Sequence, residues 1–469
     1  MHIRLKNNLR LTGIPADLRQ ILIDKLAFPN PKWIENNRMG RWNGGVPQTL
    51  KFYSKLKKDG LWIPRGFIRQ LILLCRKHSV DYEIDDRRRS LPPVDFRFNG
   101  RLRPFQEKAV GEMLAREFGT LSSPTGSGKT VMAIHMIARR RQPALIVVHT
   151  KDLARQWTQR IETFLDIPAE QIGMIGGGKK TIGDRVTVAM VQSLYKCAEE
   201  VSHQIGHLVV DECHRAPSRT FTEAVTDFDA RYMLGLSATP WRRDNLSRLI
   251  FWHLGDVHHQ VDQQKLIESG HVLPAQVIFR ETGFRPYFDP VQEYSKMLAE
   301  LTANDERNRM IAADVARVVA NGQGVCLVLS DRKKHCDILQ SLLRFKHEVT
   351  AELLTGDLSS AQRAAVIDRL NTGRIKVLVA TGQLIGEGFD CRDLTTLFMA
   401  TPVRFSGRVI QYLGRILRPA PGKEQALVYD YVDIYVEPLV KAARARQKIY
   451  GQKGSSDLSF SKNGSPQRR

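Results

Sequence analysis

Two doubly wound α/β units in tandem, preceded by a small basic α+β domain, are the fold class that this sequence predicts. Three observations carry the prediction. Between residues 144 and 239 four short apolar runs, "ALIVVHT", "RVTVAMV", "HLVVDE" and "YMLGLSAT", each end on polar residues. A second series, "GVCLVLS", "VTAELLTG", "IKVLVAT", "TTLFMAT" and "ALVYDYV", repeats the arrangement between residues 324 and 432. Helical segments separate the runs, and near-continuous apolar strands alternating with helices imply parallel sheets covered on both faces. At 469 residues the chain is too long for one core and fits three domains, or two and an appendage.

Residues 1–95 form the first module. "PADLRQILIDKLAF" has helical spacing, "TLKFYSKLKKDGLWIP" predicts a strand pair turning at Lys58-Asp59-Gly60, and "RGFIRQLILLCRKH" predicts an amphipathic or buried helix. The charges and the Pro-Pro pair of "DDRRRSLPPVDF" mark a domain boundary. The first α/β unit is placed at 96–258 and the second at 259–440, although residues 255–290 show no strong pattern. Residues 441–469, basic and ending in a Gly/Ser/Lys-rich stretch, read as a disordered tail.

The net charge of +22 is segregated. Residues 1–100 hold 20 Lys/Arg against 9 Asp/Glu, residues 441–469 hold 8 against 1, and the middle is nearly neutral at 43 against 39. A basic module and a basic tail around a neutral body are the electrostatic footprint of a polyanion partner, nucleic acid above all. No run approaches the roughly 18 apolar residues of a membrane span, and "MHIRLKNNLRLTG" lacks a secretory apolar core. The expectation is a cytoplasmic, nucleoid-associated chain with no membrane partner. Six cysteines show no C-x-x-C and no zinc-ligand spacing, so buried free thiols are expected, with neither zinc nor an iron–sulfur cluster.

"SSPTGSGKT" passes from a Gly-rich turn into a helix. Backbone N–H groups from Gly126 through Ser127, Gly128 and Lys129 to Thr130 can cradle a β-phosphate at the positive end of that helix. Lys129 would reach the β/γ oxygens and the Thr130 hydroxyl would hold Mg2+. Ser123 stands where the G-x-x-x-x-G-K-[ST] pattern has glycine. Eighty-two residues after Lys129, "HLVVDECH" puts Asp211 and Glu212 at the end of an apolar strand. There Asp211 would bind Mg2+ through water, and Glu212 would orient the attacking water and take its proton.

This pair, S-x-x-G-x-G-K-T followed by D-E-C-H, resembles motifs I and II of the superfamily 2 DEAD/DEAH-like helicases and translocases, here in a DECH-box form. Many members have Ala or Ser at the position of Ser123. The resemblance runs over residues 101–420: "RLRPFQEKAV" before motif I, "VVHTKDLARQW" as Ia, "VAMVQSL" as Ib, "GLSATP" as III, "VLSDRKKH" as IV, "ATGQLIGEGFD" as V and "QYLGRILRP" as VI. "LRPFQ", "DECH" and "GLSATPWRRD" look most like the group of XPB, phage UvsW and type III restriction (ResIII) subunits.

The resemblance implies two RecA-like domains that bind and hydrolyse ATP with Mg2+. It places Gln106, with Arg103, at the adenine, where an amide can pair with N6 and N7. Thr125 joins the phosphate loop, and Gly388 and Asp390 come from motif V. Ser237, Thr239 and His214 would couple nucleotide state to domain closure. Gln411, Arg415 and Arg418 share one helical face, and in the family such arginines reach the γ-phosphate of ATP bound to the other domain. An arginine finger is worth about 10³-fold or more in rate.

Thr150, Lys151, Gln192, Ser330, Arg332 and Thr381 match the family's contacts to a nucleic-acid backbone, and binding without sequence preference and with strong salt dependence follows. Trp157 either stacks a base or packs its helix, and Trp42 and Tyr53 either join the core or meet nucleic acid. The expected function is an ATP-dependent DNA helicase or translocase in repair, recombination, a mobile element or defence, with 3′→5′ travel implied by the family. The partners would be DNA, single-stranded, branched or duplex, and proteins of a repair or defence complex. An RNA helicase, or a non-unwinding ATP-switched subunit, is the alternative.

Overall fold

A computed structural model describes residues 1–451 except 58, 216–218, 239–245, 323, 387–390, 392 and 404–405. Two compact units make up the chain, residues 1–123 with 128–261, and residues 124–127 with those from 262 onward.

In the first unit an eight-stranded sheet runs Lys179–Lys180, Gly173–Gly176, Val186–Met190, Ala144–Val148, His207–Val210, Tyr232–Ser237, Phe118–Ser122 and Val257–Gln260. All neighbours are parallel except the Lys179–Lys180 edge. Ala144–Val148 and His207–Val210 are buried at every residue, so their sequences show no polar alternation. Phe118–Ser122, read as a strand only from the structure, hides behind its polar letters. Its buried Thr120 donates its hydroxyl to the Gly255 carbonyl at 3.1 Å, which makes a polar residue tolerable there.

Six parallel strands form the sheet of the second unit, in the order Ala275–Thr282, Ala426–Asp433, Leu394–Met399, Val325–Ser330, Val377–Thr381 and Ala351–Leu354. Ala275–Thr282 pairs with Ala426–Asp433 over eight residues at the sheet edge. Half exposed and carrying Arg280 and Glu281, it lacks the apolar run of a central strand, hence the absence of a signal over 255–290. The helix Glu437–Gly451 extends through the first residues assigned to the tail. Its Arg446 is buried and pairs with both carboxylate oxygens of Asp430 at 2.6 and 2.7 Å. A basic residue counted with a solvated tail is therefore part of a core ion pair. Residues 452–469 lie outside the described residues.

The N-terminal module carries a five-stranded sheet in the order Ser54–Lys55, Leu61–Pro64, Asn8–Thr12, His2–Leu5 and Glu83–Asp86. Ser54–Lys55 and Leu61–Pro64 are the expected antiparallel pair. The module's core, including Leu9, Leu22, Leu61 and Leu71, is not closed on itself but continues into Leu249 and Trp252 of the helix Ser247–Leu254. The rings of Phe28, Phe52 and Phe67 surround Trp252 at 5.4–6.2 Å. Gly66 sits so close that a Cβ would come within 2.3 Å of the Phe251 carbonyl oxygen.

The arginines of "DDRRR" are held internally. Arg87 pairs with Asp85, Arg88 with Asp86 and Glu117, and Arg89 with Asp229. Arg88 and Arg89 fasten the module to the rest of the unit through Glu117 and Asp229, and a parallel bridge between Arg89 and Ala230 adds to the attachment.

Candidate active site

Phe118–Ser122 delivers the chain to the phosphate loop, and the helix Lys129–Arg140 leaves it. Ser123 is fully buried, and its N–H donates to the Ser237 carbonyl at 2.9 Å, so it continues the strand rather than making the turn. A small residue suffices there. The turn itself needs glycine: Gly126 and Gly128 have φ of +89° and +85°, a region L side chains rarely occupy. A Cβ on Gly128 would also lie 2.5 Å from Gln106 Nε2. Ser127 Oγ donates to the Pro124 carbonyl at 2.6 Å, and Lys129 Nζ donates to the Ser123 carbonyl at 2.9 Å across the turn. Thr125 Oγ1 is buried with no hydrogen-bond partner among the described residues. Backbone N–H groups at a helix start, an ammonium folded over the turn and an orphaned hydroxyl fit a phosphate chain.

Gln106 reaches this loop from the helix Pro104–Leu114. It is buried, and its Oε1 accepts from the Arg103 N–H at 2.9 Å, which fixes the amide beside Gly128. The Arg103 side chain is exposed.

Asp211 and Glu212 follow the strand His207–Val210. Asp211 is buried and accepts from Trp157 Nε1 at 2.8 Å and from the Glu212 N–H at 2.9 Å. Burial first, and the neighbouring Glu212 second, push its carboxyl up to about 6, against the pull of the Trp157 N–H and the Lys129 ammonium. Glu212 has φ of +47°, uncommon for a non-glycine residue and worth reading as imposed by the site. His214 Nδ1 lies 3.2 Å from Glu212 Oε2 and 3.2 Å from Ser237 Oγ. Glu212 is thus tied through one imidazole to the end of the strand Tyr232–Ser237, while Asp211 is held by Trp157. Thr239, the other expected coupling residue, lies outside the described residues, as do Gly388 and Asp390.

In the second unit Gln411 and Arg415 lie on the helix Ser406–Ile416, with Arg418 just beyond its end. Gln411 is buried and both arginines are half-buried. Lys423, which the sequence did not single out, donates to the carbonyls of Leu394, Ile416 and Arg418, the last at 3.1 Å. An ammonium clamps the carbonyl end of the helix that presents the arginines.

Of the expected nucleic-acid contacts, Thr150, Lys151 and Gln192 come together in the first unit. Thr150 caps the helix Lys151–Leu165 by accepting the Leu153 N–H at 3.3 Å, and Gln192 Nε2 donates to the His149 carbonyl at 3.3 Å. In the second unit Ser330 and Thr381 are partners in neighbouring strands. Ser330 is buried, with its hydroxyl 2.9 Å from His335 Nδ1 and accepting from the Arg332 N–H at 3.1 Å. Arg332 Nη2 reaches the Ser295 hydroxyl at 3.2 Å.

Residues 99–242 match the family described as type III restriction enzyme, res subunit, and residues 310–420 match the helicase conserved C-terminal domain. The phosphate loop and both carboxylates fall in the first match, the arginine helix in the second. The chain belongs to superfamily 2 of the helicases.

As a superfamily 2 helicase it has relatives in several lineages. It is 27% identical over 375 residues to the candidate ATP-dependent RNA helicase L396 of Acanthamoeba polyphaga mimivirus, covering 76% of this chain and 69% of that one. It is 26% identical over 378 residues to the DNA 3'-5' translocase XPB2 of Sulfurisphaera tokodaii, covering 73% of this chain and 85% of the relative. The solved structure of S. cerevisiae Dbp5 bound to RNA and ADP BeF3 overlays with a TM-score of 0.55 at 16% identity, over 76% of this helicase and 89% of that chain. That likeness shows the fold, two RecA-like domains.

Lys423 is a site residue that the sequence alone did not find, and Trp157, read as stacking a base or packing its helix, is 1% exposed and packs within the helix Lys151–Leu165. The tryptophan was visible as a large residue on an amphipathic helix, but nothing local pointed to its partner Asp211, 54 residues away.

Proposed function

We propose that this superfamily 2 helicase is an ATP-driven DNA motor, a helicase or duplex translocase. Gln106 reads the adenine, and the loop from Thr125 to Thr130 holds the phosphates. Glu212 Oε accepts the proton of the attacking water, and Arg415 and Arg418 supply positive charge to the transferred phosphoryl group. Thr130 and Asp211 would hold Mg2+, which neutralises phosphate charge when bound. A carboxylate this buried is suited to a cation, since a nearby positive charge restores the ionised form that burial disfavours.

The observation that carries the reading is the chain of contacts Trp157–Asp211–Glu212–His214–Ser237 beside Lys129. A merely structural acidic turn has no need of a base held in a left-handed conformation and tied to a second strand end. DNA as the track is supported by the excess of basic charge in residues 1–100 and by the relative named as a DNA translocase.

RNA is the second reading, supported by the relative named as an RNA helicase. ATP hydrolysis measured with no polymer, single-stranded DNA, branched DNA and RNA decides between them. DNA, branched DNA most, is expected to stimulate turnover, and stimulation by RNA alone would overturn the assignment. Strand displacement beside triplex displacement separates unwinding from translocation.

A further inference from the structure

Residues 36–58 contain no aspartate or glutamate and six Lys/Arg. Of these, Arg38, Arg41, Lys51, Lys55 and Lys57 are exposed, and among the described residues none of the five pairs with a carboxylate. The contrast with Arg87, Arg88 and Arg89, each held by an acidic side chain, is sharp. Between Arg41 and Asn43 stands Trp42, 88% exposed. An indole left in water forgoes the burial for which the residue is ordinarily used.

The loop that carries Trp42 is built rather than slack. Asn36 Nδ2 donates to Asn43 Oδ1 at 3.0 Å, and Asn43 Nδ2 donates to the Trp33 carbonyl at 3.3 Å. The Arg41 N–H donates to the Asn36 carbonyl at 2.8 Å, the Val46 N–H to the Asn43 carbonyl at 2.9 Å, and Asn30 Nδ2 to the Pro47 carbonyl at 2.9 Å. Gly40 and Gly45 take φ of +62° and +73°, and a Cβ on Gly44 would come within 1.9 Å of the Trp42 ring. The fold thus holds a flat aromatic ring out in water directly after Arg41, and among the described residues no carboxylate pairs with Arg38 or Arg41.

We propose that this loop is a DNA-docking surface, with Trp42 stacking on an unpaired base and Arg38 and Arg41 meeting the flanking phosphates. Every base offers a π-face, so stacking suits a motor that must not read sequence. Acid-free basic flanks favour a polyanion over a protein face of mixed charge. The proposal rests on the DNA-motor reading and adds to it a grip outside the two RecA-like domains.

The test is binding of the full chain to a labelled single-stranded oligonucleotide and to an abasic oligonucleotide of equal length, read by fluorescence anisotropy. Trp42→Ala is expected to weaken binding to the base-bearing strand about tenfold and to leave abasic binding unchanged. Trp42→Phe keeps most of the affinity. Arg38→Gln with Arg41→Gln weakens binding to both strands and flattens the salt dependence. Equal binding by Trp42→Ala and wild type, or the same loss on both strands, overturns the stacking role. A wild-type ATPase indifferent to every nucleic acid sinks the motor reading instead, so the two failures are distinct.

Discussion

Trp157 Nε1 donates a 2.8 Å hydrogen bond to Oδ2 of Asp211, and both residues are buried. A tryptophan on the helix after motif Ia thereby holds the carboxylate proposed to carry Mg2+. Trp157→Phe removes a donor that holds the Asp211 carboxyl down, so its acidity should fall further. The acid limb of the ATPase pH profile is expected to move to higher pH, with turnover at pH 7 reduced about tenfold, as for a lost hydrogen bond to a charged group. An unmoved limb with only a lower Tm would make the contact structural alone.

Asp211→Asn gives the complementary result. The Asp211 carboxyl is raised to about 6 from its ordinary value of 3.8. The folded chain therefore binds more protons than the unfolded chain between these values, and stability falls as pH rises through that window. Above it the ionised group costs stability in the absence of a cation. Asp211→Asn should raise the Tm of the nucleotide-free protein by a few degrees at pH 7.5, and the gain should disappear near pH 4. ATPase should be lost throughout. A lower Tm at pH 7.5 would contradict the burial argument.

Glu212→Gln keeps the side-chain volume and removes the proposed base. ATP and DNA binding should persist while turnover drops by at least about 10²-fold, the scale of general-base catalysis. Arg415→Gln and Arg418→Gln should show the same split, by about 10³-fold. Single-turnover hydrolysis beside equilibrium ATP binding reads both, and near-normal hydrolysis in Glu212→Gln removes its assigned role.

Lys423→Met tests the clamp on the arginine helix. Losing three carbonyl contacts frees the end of Ser406–Ile416, so kcat should fall about tenfold with KM for ATP unchanged, while Lys423→Arg recovers part of the loss. Burial lowers the Lys423 ammonium to about 8, so the wild-type rate should decline as pH rises through that value, when one of its three N–H donors is lost. Lys423→Met should lack this alkaline limb. Identical profiles would reduce Lys423 to a surface charge.

The N-terminal module is predicted to behave as part of the first unit. Deleting residues 1–95 uncovers Trp252 and Leu249 and should give an aggregating protein rather than a motor that merely binds DNA less well. Gly66→Ala pushes a Cβ against the backbone at Phe251, Trp252 and Gly255 and should cost about 2 kcal/mol in urea unfolding, as overpacking does. A soluble, active truncation would show that the module is separable after all.

Local patterns of residues were enough to place the nine apolar runs, now strands of the two parallel sheets, and the loop and carboxylate pair at their ends. Buried strands must be apolar along their length, and a phosphate turn must have glycine where φ is positive, so both requirements are written in consecutive letters. Phe118–Ser122 and Ala275–Thr282 escaped because one satisfies its polar groups internally and the other lies at an edge. The tertiary structure alone decided which charges are spent: Arg88, Arg89 and Arg446 are bound to carboxylates, while Arg38 and Arg41 are left to solvent. It alone paired Trp157 with Asp211 and set Lys423 under the arginine helix. A backbone preference is a property of neighbours in the chain, whereas a partner for a side chain is chosen by packing that brings distant segments together.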